Sequence, residues 1–139
     1  MIRFAEDLKS VEFESPVPKA QIPDLMAEAD AILLSLKDVP LFRYGVSPNK
    51  LYDAYSLGRP VITTVAGAVN AEVEEYRLGV TSPPGDPQAL ADAIQRLLDT
   101  PNSERQAMAN RAIELAHSTY SRQRINAEYD CLLRGLISA

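Results

Sequence analysis

The chain has 139 residues, enough for one domain with a real core, and its 46% hydrophobic and 24% charged content is ordinary for a globular protein. A net charge of −5, from 14 basic and 19 acidic residues, argues against a general nucleic-acid binder, which would present a basic face. One histidine, His117, and one cysteine, Cys131, leave no material for a histidine-based triad, a multi-histidine zinc site or an internal disulfide framework.

A lone cysteine fits a reducing compartment. No apolar run approaches the roughly 20 residues that span a bilayer. The first residues, MIRFAEDLKS, carry acids and no apolar core, unlike a secretory signal.

In chain order, Val11–Phe13 reads as a short strand, followed by the extended SPVP. Residues 22–29 form a helix with Pro23 in its first turn and Leu25, Met26 and Ala29 at helical spacing. The continuous apolar run 31–36 (AILLSL) predicts a parallel strand covered on both faces. Residues 37–47 are a loop, 47–57 a helix stopped by Gly58, and 61–65 (VITTV) a β-branched strand. After a small-residue loop at 66–70 come a short helix at 72–76 and a brief strand at 79–82. Asp86 and Pro87 are a favoured N-cap and first helical residue for a helix at 88–98, with Leu90, Ala93, Ile94 and Leu97 on one face. Two more helices cover about 102–118 and 121–137; the second carries Ile125, Tyr129, Leu132, Leu133 and Leu136.

Strands alternating with helices through short connections predict an α/β fold, a Rossmann-like open parallel sheet with helices on both faces, ending in two C-terminal helices. The whole of 1–139 forms a single domain on this reading. In such sheets ligands bind beyond the carboxyl ends of the strands, where 37–47 and 66–70 belong.

The segment SPNKLYDAYSLGRPVITT, residues 47–64, carries the chemistry. With Ser47 as N-cap and Pro48 first in the helix, the N–H groups of Asn49 and Lys50 lack helical partners and form an anion-binding end. Lys50 stands where a capping box would have Glu or Gln, an unfavourable place for a cation that a bound phosphate would offset. Asp53 projects from the same side, about 9 Å along the axis from Ser47, a separation that suits a carboxylate on ribose hydroxyls beside a diphosphate. Leu51, Ala54 and Tyr55 face the core. Gly67, in the small-residue loop after the 61–65 strand, either lets a ligand approach the backbone or simply makes a turn. An ordinary exposed Lys–Asp pair is the plain alternative for Lys50 and Asp53.

Ile22-Pro23-Asp24-Leu25 with Ala29-Asp30, then Asp53-Ala54-Tyr55-Ser56-Leu57-Gly58-Arg59-Pro60-Val61-Ile62, Gly79-Val80 and Pro83-Pro84-Gly85-Asp86-Pro87 follow one another as a set. In this order they resemble the C-terminal donor-binding domain of GT-B glycosyltransferases, specifically the retaining family 4, or group 1, transferases. The wording of residues 47–62 is closest to the bacterial surface-polysaccharide branch, and the resemblance covers about residues 11–130.

The resemblance implies a nucleotide-diphosphate sugar as donor, a UDP-sugar by expectation, with no cofactor and no metal. It matches Asp53 to the second acid of the family's E-x7-E motif, the one that holds the ribose. Ser47, Asn49 and Lys50 match the diphosphate site, and 66–70 a loop near the donor. The first acid of the motif falls at Gly45, so Arg43, Tyr44 or backbone groups are the candidates for the donor hexose; no catalytic side chain is assigned. Asp in place of Glu at 53 shortens the reach by one methylene. By the same comparison the chain starts after two strands and a helix of the donor domain and lacks the acceptor-binding domain, so it is expected to be an N-terminally truncated piece, inactive alone.

Expected partners are the missing N-terminal domain or a partner subunit, with self-association through the apolar 121–137 helix as another outcome. The implied location is cytoplasmic, with peripheral contact at the inner face of the membrane as an option. The competing readings are a noncatalytic partner subunit and a flavodoxin-like or receiver-type interaction module; a receiver would need acids clustered at strand ends, and only Asp30 and Asp38 flank the 31–36 strand.

Overall fold

A computed structural model describes residues 8–137. A 3₁₀ turn at Lys19–Gln21 leads into α1 (Ile22–Glu28), β1 (Ile32–Leu34), α2 (Pro40–Tyr44), α3 (Asn49–Ser56), β2 (Val61–Thr63), α4 (Ala68–Glu75) and β3 (Gly79–Thr81). The chain then finishes with α5 (Pro87–Leu98), α6 (Asn102–Ser118) and α7 (Arg122–Ile137). The three strands pair in the order β1-β2-β3, all parallel, with Ile32 beside Val61 and Val61 beside Gly79. This is the predicted open parallel sheet with helices around it.

Strand β2 is the middle strand and alternates its side chains between two apolar clusters. Val61 joins Leu34, Leu51, Tyr55, Val73, Leu78 and Ala112 on one side, while Ile62 joins Leu97 and Met108 on the other. Coverage thins at the edge. Leu33 of β1 is 42% exposed, so the 31–36 run is not buried on both faces as its continuous hydrophobicity predicts.

Helix α3 ends as its glycine dictates. Gly58 takes φ +61°, its N–H donates to Tyr55 O, and Arg59 N–H reaches back to Ala54 O, the paired bonds of a Schellman cap. A Cβ at Gly58 would lie 2.8 Å from Ile113 Cδ1, so its bareness also lets α6 close on α3. Helix α5 starts as predicted, with the Asp86 carboxylate accepting Ala89 N–H at 2.9 Å.

Four local expectations change. Val11–Phe13 is not a strand; Phe13 is half exposed and has no ladder partner among the described residues. The 37–47 loop contains α2, begun by Pro40 in its first turn. The helix predicted at 72–76 begins at Ala68, so much of the 66–70 loop is helix. Ser47 does not cap α3: the N-cap is Pro48, and the Ser47 hydroxyl turns to Tyr52. The apolar stripe of α7 is largely uncovered, with Tyr129 64% and Leu136 69% exposed.

Helix α4 ends in a second Schellman-type cap, but without glycine. Arg77 sits at φ +52°, its N–H bonded to Glu74 O and that of Leu78 to Val73 O. The Arg77 carbonyl then accepts two bonds from the Arg111 guanidinium of α6. A side chain in the left-handed region costs about 1–2 kcal/mol, partly offset by the extra chain entropy that glycine loses. Arg77→Gly, which keeps the carbonyl that Arg111 uses, is expected to raise unfolding stability by about 0.5–1 kcal/mol, measured by urea denaturation.

Candidate functional site: the start of α3 at the carboxyl edge

Parallel strands send every outgoing chain to the same edge. Beyond β1 and β2 the starts of α3 and α4 therefore lie on the carboxyl side of the sheet, each presenting unpaired backbone N–H groups. Hydroxyls line that edge: Thr64 Oγ1 meets Ser35 Oγ at 3.2 Å, and Thr63 Oγ1 accepts Val65 N–H.

The two loops assigned to this edge touch. A Cβ at Gly67 would lie 2.6 Å from the Arg43 carbonyl oxygen, and Gly67 has φ +91°, so glycine is required there for packing as well as conformation. Gly67 is also the N-cap of α4, and its carbonyl accepts Ala71 N–H. The helix starting here, with the N–H groups of Ala68 and Val69 at its tip, escaped sequence reading because Ala66–Val69 carries no polar capping side chain.

Ser47, Asn49 and Lys50 lie together and exposed at the start of α3. Leu51, Ala54 and Tyr55 on the opposite side are buried, as predicted. Asp53 is exposed one turn further along. Among the described residues, neither the Lys50 ammonium nor the Asp53 carboxylate is engaged in a hydrogen bond or ion pair, and the two do not pair with each other. Asp53 instead lines a cleft of about 260 Å³ between α3 and α1, whose other walls are Lys19, Ile22, Pro23, Met26, Ser56 and Leu57. The cleft is mainly apolar, with one carboxylate and one ammonium group as its charges. Lys50 and Ser47 stand outside it. Lys19, which sequence reading missed, had no local signal; only the packing of α1 on α3 brings it to Asp53.

The candidates beside Gly45 are placed differently from one another. Arg43 is held by Asp38 in a bidentate pair, with contacts of 2.8 and 2.9 Å from one nitrogen. Tyr44 is 91% exposed. Gly45 has an ordinary extended φ of 165° and open space where a Cβ would stand.

Beneath the α3 start lies a tyrosine cluster. Ser47 Oγ donates to Tyr52 Oη at 3.1 Å, and the Tyr52 and Tyr120 rings lie 4.6 Å apart. Both Tyr55 and Tyr120 donate their hydroxyls to Glu72, Tyr55 at 3.0 Å. One carboxylate on α4 thus fastens α3 and the α6–α7 junction. Burial raises the Tyr55 phenol well above the ordinary tyrosine value, and the adjoining Glu72 carboxylate adds to the shift; the same causes raise Tyr120.

The site thus combines a parallel α/β sheet, two open helix starts at its carboxyl edge and a carboxylate-bearing cleft along α3. The chain belongs to the group 1 glycosyltransferases: the family model described as glycosyl transferases group 1 matches residues 2–100. The WcaL protein of Escherichia coli K12, named for glycosyl transfer in colanic acid biosynthesis, is 28% identical over 127 residues, 91% of this chain and 31% of its own length. The alpha-D-kanosaminyltransferase of Streptomyces kanamyceticus is 32% identical over 100 residues, 72% of this chain and 24% of its own. The WcaL protein of Salmonella typhimurium is 26% identical over 125 residues, 89% and 30% of the two chains. The chain thus spans about a third or less of the curated relatives it matches, and no solved structure matches it. Among the described residues, no helix is long and apolar enough to cross a membrane.

The tyrosines set a pH limit. An unfolded tyrosine ionises near pH 10, whereas folded Tyr55 holds its proton to higher pH, so stability is complete below about pH 10 and falls as pH rises through the folded value. Unfolding free energy is expected to drop above pH 10 by up to about 1.4 kcal/mol per pH unit per tyrosine held neutral. Urea titrations at increasing pH should show a shallower decline in Tyr55→Phe than in the parent.

Proposed function

We propose that this chain is the donor-binding part of a retaining glycosyltransferase that transfers a hexose-type sugar from a nucleotide diphosphate, a UDP-sugar by preference, in polysaccharide or glycoconjugate synthesis. The observation that carries this reading is Asp53, unpaired in an apolar cleft one turn beyond an open helix start, in a chain of the group 1 family. The names of the WcaL relatives support the polysaccharide assignment.

On this reading Asp53 accepts hydrogen bonds from the ribose hydroxyls, and the apolar wall from α1 shields them from water. Charge-assisted bonds are stronger than neutral ones, and a low local dielectric raises them further. The N–H groups at the α3 start and the Lys50 ammonium hold the diphosphate and stabilise it as it leaves; this is electrostatic assistance to the leaving group. The N–H groups of Ala68 and Val69 behind Gly67 provide a second positive end on the same edge. The proton and nucleophile chemistry of transfer belongs to groups not assigned among these residues. The exposed stripe of α7 is where this reading places contact with the acceptor-binding part, and the 139 residues alone are expected to transfer no sugar.

Calorimetric titration with UDP tests the site. Asp53→Ala is expected to weaken binding about tenfold or more, since a hydrogen bond to a charged group is worth about 1.5–3 kcal/mol. Equal affinities in the parent and Asp53→Ala overturn the ribose assignment, and absence of binding by both favours a noncatalytic partner subunit.

Gly45→Glu probes the vacant acid position. Its backbone and the open space around it are compatible with a side chain, so stability should change by no more than about 0.5 kcal/mol. The variant is expected to favour UDP-glucose over UDP more than the parent does, read as the ratio of the two dissociation constants.

A further inference from the structure

The amino edge of the sheet, opposite the α3 start, holds another cavity. It measures about 300 Å³, near the lower end of ligand-sized pockets. Asp30, just before β1, and Arg59, just before β2, line one side; Asn102, Arg105 and Gln106 of α6 line the other. None of these residues has a part in the donor site.

The two arginines are underused. Arg59 donates one guanidinium N–H to the Ala27 carbonyl, while its buried Nε has no hydrogen-bond partner among the described residues. Arg105 makes one long contact, 3.5 Å, to the Leu98 carbonyl. A guanidinium carries five donors in a fixed fork that matches carboxylate and phosphate oxygens. Asp30 lines the same cavity but lies in no ion pair with either arginine among the described residues. The lining therefore has a net charge of +1 in a chain whose total is −5. Two guanidinium groups with few protein partners lining one cavity suit an anion, which can take charge-assisted bonds from them.

We propose that this cavity binds a small hydroxylated phosphate or carboxylate, with Arg59 and Arg105 on the anionic group and Asp30 accepting from a hydroxyl of the same molecule. Asn102 and Gln106 supply amide groups at the rim. Because Arg59 leads directly into β2, and Arg105 sits in the first turn of α6, such a ligand would tie α6 to the sheet's amino edge. The site lies at the edge opposite the α3 start, and Leu57 borders both this cavity and the Asp53 cleft.

Proton–nitrogen spectra of the full chain, titrated with inorganic phosphate and with glycerol 3-phosphate, test this directly. Saturable shifts of the Arg59 and Arg105 Nε resonances are expected. Arg105→Met should weaken both ligands about tenfold, as loss of a charge-assisted contact requires. Asp30→Asn should tighten inorganic phosphate about twofold to fivefold by removing a like charge, and should narrow the advantage of glycerol 3-phosphate over phosphate. Shifts confined to residues 47–50, no saturable shift, or unchanged affinity in Arg105→Met would each overturn the proposal. The opposite signs for Arg105→Met and Asp30→Asn separate a specific site from a general loss of folding.

Discussion

Parallel pairing of β1, β2 and β3 is the constraint on which the rest depends. A parallel neighbour forces each connection to travel back along the sheet, and a helix is the compact way to do so. Helices α2, α4 and α5 follow β1, β2 and β3, and α3 follows α2 before the chain returns to β2. Two positive helix ends, at Asn49 and Ala68, are brought to one edge by backbone geometry before any side chain is chosen. The amino edge receives the converse set: helix ends and the turns that enter strands, where Arg59 and Asp30 stand. The fold therefore sends helix starts to one edge and the turns that enter strands to the other.

Side chains fix how far α3 can move within that frame. Its buried side rests on Leu51, Ala54 and Tyr55, and full burial of a large side chain is worth about 1.5–3 kcal/mol. Hydrophobic contact alone would tolerate a slide along the axis. The Tyr55 hydroxyl does not, because moving it from Glu72 strands a buried polar group. Tyr120 shares the same carboxylate and packs its ring at a tilt against Tyr52, which also accepts from Ser47. A slide of α3 would thus break polar contacts at α4, at the end of α6 and at its own start together.

The legible parts of the sequence were those decided locally. Gly58 could be read because a left-handed cap needs glycine there, and Asp86-Pro87 because both residues serve the first turn of α5. The buried side of α3 followed from helical spacing. What escaped depended on distant neighbours. The 31–36 run looked covered on both faces, yet Leu33 is 42% exposed at this edge strand. Ser47 had the composition of a cap, but the Tyr52 hydroxyl offered it a different partner. Ala66–Val69 lacked every polar capping signal, and α4 starts there nonetheless because Gly67 fits against the Arg43 carbonyl. Lys19 and Asp53 are far apart in sequence, and no periodicity could pair them across a cleft.

The strength of the donor reading rests on water exclusion around Asp53 more than on its charge. An exposed carboxylate exchanges its water for a ribose hydroxyl with little net gain, since both are hydrogen-bond donors. Asp53 is exposed in the free chain, and its shorter side chain keeps the carboxylate near the α3 backbone. On the proposed donor assignment, a ribose that reaches it would settle against α1. There Ile22, Pro23 and Met26, with Leu57 on the α3 side, line the cleft and would replace water on the sugar's other faces. On that assignment the aspartate and the apolar α1 wall act together: the first would draw the sugar inward, and the second would make that position dry enough for the bonds to count. A longer acid would meet the ribose further out, where more of the sugar stays in water and each bond contributes less.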